Sequence, residues 1–378
     1  MASKDQLPAA FSLYLDVLRF TAAVAVYVNH IAKYPFVPAV ARGAPLSLYE
    51  QYGAPAVTVF FVLSGYVIAY VVATRERDAR SYAISRLSRL YSVVIPALLL
   101  TLLLDSWGQW LDPALYAEHI VSPKPMTAGG YAASSFLINE FQAFGFHGIG
   151  PGSNGPWWSL SFEAAYYLVA GMIMFARPRV AIILALVVFA VAGRTIVALA
   201  PLWALGFFLY RWRDALAHAL PLPLIFWLAS IVAIAVIPWL LPSSPAMNFG
   251  LHFPWARQEL NRNLAQDYAV AIAVAVHLVA AHKLFGGAIG TAPRAVAVVR
   301  FLGAMTFPLY AMHRPAMFFL AAISPWPQQS AATIIGTTLA IGLGVGLVTP
   351  LCDRLKRWLR DMLGTIWPTK EVPLPQTA

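Results

Sequence analysis

The sequence predicts an all-α, polytopic membrane protein of about ten transmembrane helices with both termini in the cytoplasm. Three observations predict it. Of the 378 residues, 60% are hydrophobic and only 11% are charged, whereas soluble domains carry about 25% charged residues. Apolar runs recur at close to the ~20 residues that a bilayer-spanning helix needs. Lysines and arginines gather in alternate connecting segments, which sets orientation. Of the 26, eighteen fall in segments assigned to the inside and five outside (Lys33, Arg42, Lys124, Arg257 and Arg262), while Arg19, Arg194 and Arg314 lie within spans.

The spans are expected at 11–32, 54–73, 84–104, 157–176, 180–199, 201–211, 222–241, 267–283, 300–321 and 330–351. The first opens after Lys4 and resembles a signal peptide in its apolar core. It has no small-residue cleavage site and is interrupted by Arg19, so it reads as a retained span. In the second, Ser64 and Gly65 are small enough to let a neighbouring helix approach closely. An inner loop with Arg75, Arg77 and Arg80 leads into the third span, which begins with Arg86 and Arg89 one turn apart. An outer loop follows at 105–156. Within it, 129–146 is apolar but carries Asn139 and Glu140, which predicts a re-entrant or interfacial helix. The segment GIGPGSNGPWW reads as a tight surface loop from its glycines and prolines. The sixth span is short and is expected to be a half-span or to pack obliquely. A second outer loop, 242–266, holds His252, Arg257, Glu259 and Arg262. The chain is thus one transmembrane domain, 1–352, with a cytoplasmic tail, 353–378. The tail starts as a basic amphipathic turn, DRLKRWLRDML, expected on the inner membrane surface, and residues 368–378 are expected to be disordered.

Composition also excludes function classes. The net charge of +10 is distributed over segment ends rather than one patch, so nucleic acid is not an expected partner. Cys352 is the sole cysteine, which excludes a disulfide framework and a cysteine-rich metal site, and no residue spacing suggests a metal centre.

Ionisable groups inside spans carry the functional reading, because each costs roughly 2.5–3.5 kcal/mol at mid-helix. Arg19 and His30 are eleven residues apart. At about 3.6 residues per turn they share a face, separated by ~16 Å along the axis. In WWSLSFEAAYYL, Ser159, Glu163 and Tyr166 or Tyr167 form a polar stripe. In GAMTFPLYAMHRP, Thr306, Tyr310 and His313 do the same. His30, Glu163 and His313 are therefore expected to meet in a polar cavity in the outer half of the membrane. Such a cavity could serve acyl transfer. An imidazole accepts and returns a proton near neutrality, and a carboxylate can hold its tautomer. Hydroxyl and indole donors such as Ser159, Tyr310 and Trp158 could bind the acceptor or a developing oxyanion. Structural readings stand beside these. Arg19 would snorkel and pair with Asp16, Glu163 would pair with Arg19 or Arg194, and His313 would be a satisfied core histidine. Ser159 and Thr306 would be interhelical hydrogen-bonders, and Trp157 and Trp158 part of an aromatic belt. At the inner surface, Arg86, Arg89 and their neighbours could hold a phosphorylated ligand, or bind lipid headgroups.

The arginine–histidine pair in LRFTAAVAVYVNH, the FFVLSGYVI run, RLSRLY, WSLSFEAAYYL and LGAMTFPLYAMHRP occur in an order that resembles the acyltransferase type 3 family of membrane O-acyltransferases. The resemblance implies about ten helices and transfer of an acyl group, often acetyl, from acyl-CoA to a hydroxyl. Acceptors in such families are usually surface glycans, with lipid-linked or small-molecule glycosides also known. Carried over, Arg19 and His30 match the family pair, Arg86 and Arg89 the start of the third span, and Glu163 the carboxylate after the Trp-Ser element. The loop 242–266 has no evident counterpart, and an appended esterase-like domain is lacking. The expectation is then a multi-pass protein of the cell inner (plasma) membrane that binds lipid, a carbohydrate acceptor and, as co-substrate, acyl-CoA (acetyl-CoA), with no permanently bound cofactor. Arg19, Arg86 and Arg89 would hold the acyl-CoA, His30 would act as general base, and Glu163 and His313 would orient or polarise the site. The rival readings are a secondary transporter or exporter of a glycan or lipid, which intramembrane Arg, His and Glu serve equally well, and an inactive scaffold.

Overall fold

The computed structural model describes residues 6–33, 51–119, 127–146, 148–242, 263–287 and 292–367. Among these the regular structure is helical throughout: α1 (Ala9–Ile31), α2 (Gly53–Thr74), α3 (Ala79–Leu111), α4 (Pro113–His119), α5 (Ala128–Ser135), α6 (Trp158–Phe175), α7 (Pro178–Ala192), α8 (Arg194–Ala219), α9 (Pro223–Leu240), α10 (Leu264–Leu284), α11 (Pro293–Ala322) and α12 (Ala331–Ile366). Nine of them are long and apolar enough to cross a membrane, and α7 is a shorter apolar helix. The chain is an all-α, multi-pass membrane protein.

Local chemistry sets the helix ends. Asp78, Asn263 and Ser330 cap α3, α10 and α12 by accepting the backbone N–H of Ser81, Gln266 and Thr333. Prolines open α7, α9 and α11, where the missing N–H would have had no helical partner. Interior prolines at 96, 201, 308 and 350 do not end their helices, a continuity that packed transmembrane bundles tolerate.

Four expectations shift. The predicted spans 180–199 and 201–211 meet near Pro201, but the break lies at Gly193, which adopts φ +95°. Only glycine takes that conformation without cost. A side chain there would also overlap Gln142, whose Oε1 accepts from the Arg194 N–H at 3.1 Å. The sixth span is therefore not a short fragment: it is the interior of α8, which has 26 residues. Its predecessor α7 is the short one, with 15 residues. At 1.5 Å per residue it reaches about 22 Å, less than the ~30 Å hydrocarbon core.

Segment 129–146 is not one re-entrant helix. It is the short α5, a turn at Leu137 (φ 57°) and a 3-10 turn at Gln142–Phe144. Its polar residues are buried with partners: Asn139 accepts from Ser161 Oγ at 2.6 Å and Glu140 from the Gly148 N–H at 3.1 Å. The segment GIGPGSNGPWW is likewise not a surface loop. Ser153 and Asn154 are 2% and 0% exposed. Asp105 accepts from the Ser153 N–H and Oγ at 2.7 Å each, while Asn154 Nδ2 donates to Thr101 and to the Ala311 carbonyl. The loop is inserted between α3 and α11. Finally, the basic tail continues α12 without interruption, and Arg80 ties down its end through the Gly364 and Trp367 carbonyls. Residues 368–378 and all but the ends of the 242–266 loop lie outside the described residues.

Helix α2 is the inner staff of the bundle, buried along most of its length and packed on α1, α6, α8 and α10. Its closest contact is with α8. A Cβ on Gly65 would overlap the Trp203 carbonyl, and one on Gly206 would overlap the Val62 carbonyl. Backbones in lipid pack this closely only through small residues. Helix α9 buries just Ser230 and Pro238 and otherwise faces outward. A closed polar ring holds it: Trp227 donates to Tyr14, Tyr14 meets His277, and His277 meets Ser230. Interhelical hydrogen bonds of this kind contribute about 0.6 kcal/mol each.

Candidate functional site

Helices α1, α2, α3, α6, α11 and α12 surround two chambers stacked along the bundle. The first, of ≈ 300 Å³, lies toward the end that carries the arginine loop 75–80. Its polar lining comes from Asp16 and Arg19 of α1, Ser64 of α2, Arg86 and Arg89 of α3, and Ser159, Glu163 and Tyr167 of α6. Tyr310 of α11 and Asp353 and Lys356 of α12 complete it. The second, of ≈ 280 Å³, lies at the opposite end and is lined by Asn29, His30, Gly155, Trp158, Tyr310 and Arg314 among others. Val57 and Tyr310 line both. Tyr310 is fixed there by a 2.6 Å hydrogen bond between its hydroxyl and Ser159 Oγ, and by donation to the Pro156 carbonyl at 3.2 Å. Tyr310 and Val57 thus stand between the two spaces and face both.

At the wall of the second chamber His30 meets the buried His313. His30 Nδ1 is 2.8 Å from His313 Nε2, and the rings stack with centroids 5.0 Å apart. The partners dictate the protons. His313 Nδ1 lies 2.8 Å from the Leu309 carbonyl, an acceptor only, so that nitrogen carries hydrogen. In a neutral ring, His313 Nε2 is then the acceptor, and the His30 Nδ1–H donates to it. This leaves the lone pair of a neutral His30 on Nε2. The arrangement is a relay of backbone carbonyl, His313 and His30, with His313 in the orienting position that a carboxylate commonly fills.

Glu163 stands elsewhere. It lines the first chamber, where its Oε1 accepts from Tyr167 and from Ser64 Oγ at 3.3 Å, and Ser64 in turn accepts from Trp203 Nε1 at 3.2 Å. The structure thus joins His30 to His313, and places Glu163 in the same chamber as Arg19, Arg89 and Lys356. Of the stripe on α6, Tyr167 faces the chamber, whereas Tyr166 donates to the Ile196 carbonyl on α8. Trp158 lines the second chamber edge-on to Phe61 and Phe162.

The cations of the first chamber are not equivalent. Arg86 is buried, ion-paired with Glu76 at 2.5 Å and flanked by the rings of Tyr82 and Tyr167 at 5.7 and 5.6 Å. Arg19 lies 3.9 Å from Asp16, whose other oxygen is held by Arg300 at 2.5 Å. Arg89 and Lys356 make no ion pair within 4 Å among the described residues. Lys356 was not anticipated, because the tail was expected to leave the bundle after residue 352. It is one turn beyond Cys352 on a continuous α12, and both line the chamber. Arg314 was read only as an unassigned charge within a span.

A family model described as "Acyltransferase domain" matches residues 12–353. The chain is 26% identical over 361 residues to "Acyltransferase MdmB" of Streptomyces mycarofaciens, covering 91% of this chain and 75% of that protein. It is 29% identical over 161 residues to "O-acetyl transferase" of Shigella phage Sf6, covering 42% and 44% respectively. No solved structure matches.

Proposed function

Since the chain belongs to the acyltransferase type 3 family and is a transferase enzyme, we propose that it moves an acetyl group from cytosolic acetyl-CoA to a hydroxyl of a carbohydrate, free or lipid-linked, on the other side of the cell inner membrane. The relative named an O-acetyl transferase supports the acetyl group. The bias of lysine and arginine supports a cytosolic basic end with both termini inside. One observation carries the reading: a cation-rich chamber and a histidine-relay chamber share Tyr310 as their common wall.

The donor's phosphates bind Arg89 and Lys356, with Arg19 deeper and Arg86 bracing the mouth through Glu76. The guanidinium fork suits phosphate oxygens in shape as well as charge. The acyl-bearing arm passes Tyr310 and presents the thioester to the second chamber. There His30 Nε2 removes the proton from the acceptor hydroxyl, and the oxygen attacks the thioester carbonyl. Tyr310, which faces both chambers, would rotate its hydroxyl to donate to the developing oxyanion, and Ser159, bonded to it from the first chamber at 2.6 Å, would support it there. Collapse breaks the C–S bond. The thiolate leaves as free thiol by taking the proton held on the His30–His313 pair, and the ester leaves with the acceptor. General-base catalysis of this kind contributes about 10²–10⁴-fold.

The test is labelled acetyl-CoA with purified protein and a glycoside acceptor. CoA thiol is expected to appear in step with acetylated acceptor, and His30→Ala to abolish both. Unimpaired transfer by His30→Ala would remove His30 from the chemistry. Movement of a glycan without CoA release would establish a transporter instead.

A further inference from the structure

The second chamber is unusual in its charges. Arg314 projects into it beside His30, and no aspartate or glutamate lines it among the described residues. Arg314 makes no ion pair within 4 Å there. The nearby carboxylate, Asp105, attracts the guanidinium from behind the lining, but it takes its hydrogen bonds from Ser153, forms no ion pair with Arg314 and does not face the chamber. The guanidinium nevertheless has a built seat. A Cβ on Gly155 would overlap Nη1, so glycine leaves the notch in which the group rests, and the Phe318 ring lies 5.7 Å from Cζ. A cation desolvated in a bundle is costly unless something of opposite charge meets it. Asp105 answers that charge only from a distance, the neighbouring histidines cannot, and the chamber-facing side of the guanidinium is left to a ligand.

Resting on the acyltransferase reading above, we propose that Arg314 recognises an anionic group, carboxylate or phosphate, on the acceptor, so that the enzyme acylates acidic saccharides in preference to neutral ones. The guanidinium fork pairs two oxygens of such a group at once, and this fixes the orientation of a neighbouring hydroxyl toward His30 Nε2. Arg314 is then a specificity-determining residue, distinct from the donor-binding cations of the first chamber.

The experiment compares methyl glucuronoside, its uncharged methyl ester, methyl glucoside and methyl glucoside 6-phosphate as acceptors, with labelled acetyl-CoA and the full chain in detergent. A charge-assisted, paired contact predicts kcat/KM for an acidic acceptor about tenfold to a hundredfold above the ester and the neutral glucoside. A preference for the uronoside identifies carboxylate, and a preference for the sugar phosphate identifies phosphate. Arg314→Gln is expected to bring the acid-to-ester ratio near one, with Arg314→Lys between. Two results overturn the inference alone: equal transfer to acid and ester by the natural chain, or an Arg314→Gln variant that slows both alike and keeps their ratio. The second would make Arg314 an electrophilic donor to the reacting carbonyl. Transfer to none of the four overturns the saccharide reading, and this inference with it.

Discussion

The two chambers are similar in size and differ in how their charges are answered. In the first, Arg19, Arg86, Arg89 and Lys356 stand among Asp16, Glu163 and Asp353, and Arg86 is locked to Glu76. In the second, the His30 imidazole, backed by buried His313, and Arg314 stand with no lining carboxylate among the described residues. Charge that is partly compensated can hold a polyanion reversibly and stay folded when empty. A site without carboxylate keeps the His30 lone pair clear of a competing proton acceptor. Under the proposed function, the difference separates holding the donor from performing the transfer, with Tyr310 at the boundary.

Several substitutions break or sharpen that division. The largest effect is expected at His30. His30→Ala is predicted to lower kcat by about 10²–10⁴-fold with little change in the KM for acetyl-CoA, measured by thiol release. His313→Ala is predicted to cost less, about 10²-fold, because it orients His30 and does not touch the acceptor. Its distinguishing readout is the pH–rate profile, whose lower limb is expected to shift when the relay is lost. Replacing Arg89 or Lys356 with alanine is predicted to act oppositely: the KM for acetyl-CoA rises about tenfold or more, kcat holds, and the defect deepens with salt. If Arg89→Ala lowered kcat alone, the division of labour would be wrong. The smallest effect is expected at Asp78, which caps the helix carrying Arg86 and Arg89. The Ser81 N–H and hydroxyl hold its carboxyl below the ordinary value of 3.8. Its stabilisation is therefore present at neutral pH and fades as pH falls below about 4. Asp78→Ala is predicted to cost about 1 kcal/mol in thermal unfolding, and its difference from the natural chain is predicted to shrink progressively as pH falls below about 4.

Much of this was legible in the residues. Hydropathy and charge bias are local, so they gave the helices. Gly65 announced the close crossing that α2 makes with α8. The eleven-residue spacing put Arg19 and His30 on one helix face ~16 Å apart, and the structure finds each lining a different chamber. Other features depend on partners distant in sequence. Nothing local distinguishes Gly193 from Pro201 as the break until Gln142 is seen to fill the space beside the glycine. The run 148–158 has the composition of a surface loop, and only Asp105, Thr101 and the Ala311 carbonyl explain its burial. Glu163 and His30 are both ionisable and near a membrane face, yet helix phase sends one toward Tyr167 and Ser64 and the other toward His313. Lys356 could have been found from the unbroken helical period through residues 352–356, which the basic composition of the tail obscured.

Sidedness tests the central claim most directly. The full chain is reconstituted into sealed vesicles with a glycoside acceptor trapped in the lumen, and labelled acetyl-CoA is added outside. Protease accessibility of the arginine loop 75–80 reports which molecules face their basic end outward. The account predicts that lumenal acceptor is acetylated only by molecules in that orientation, while acetyl-CoA itself stays outside. Acetylation only when donor and acceptor share one side of the membrane would contradict it.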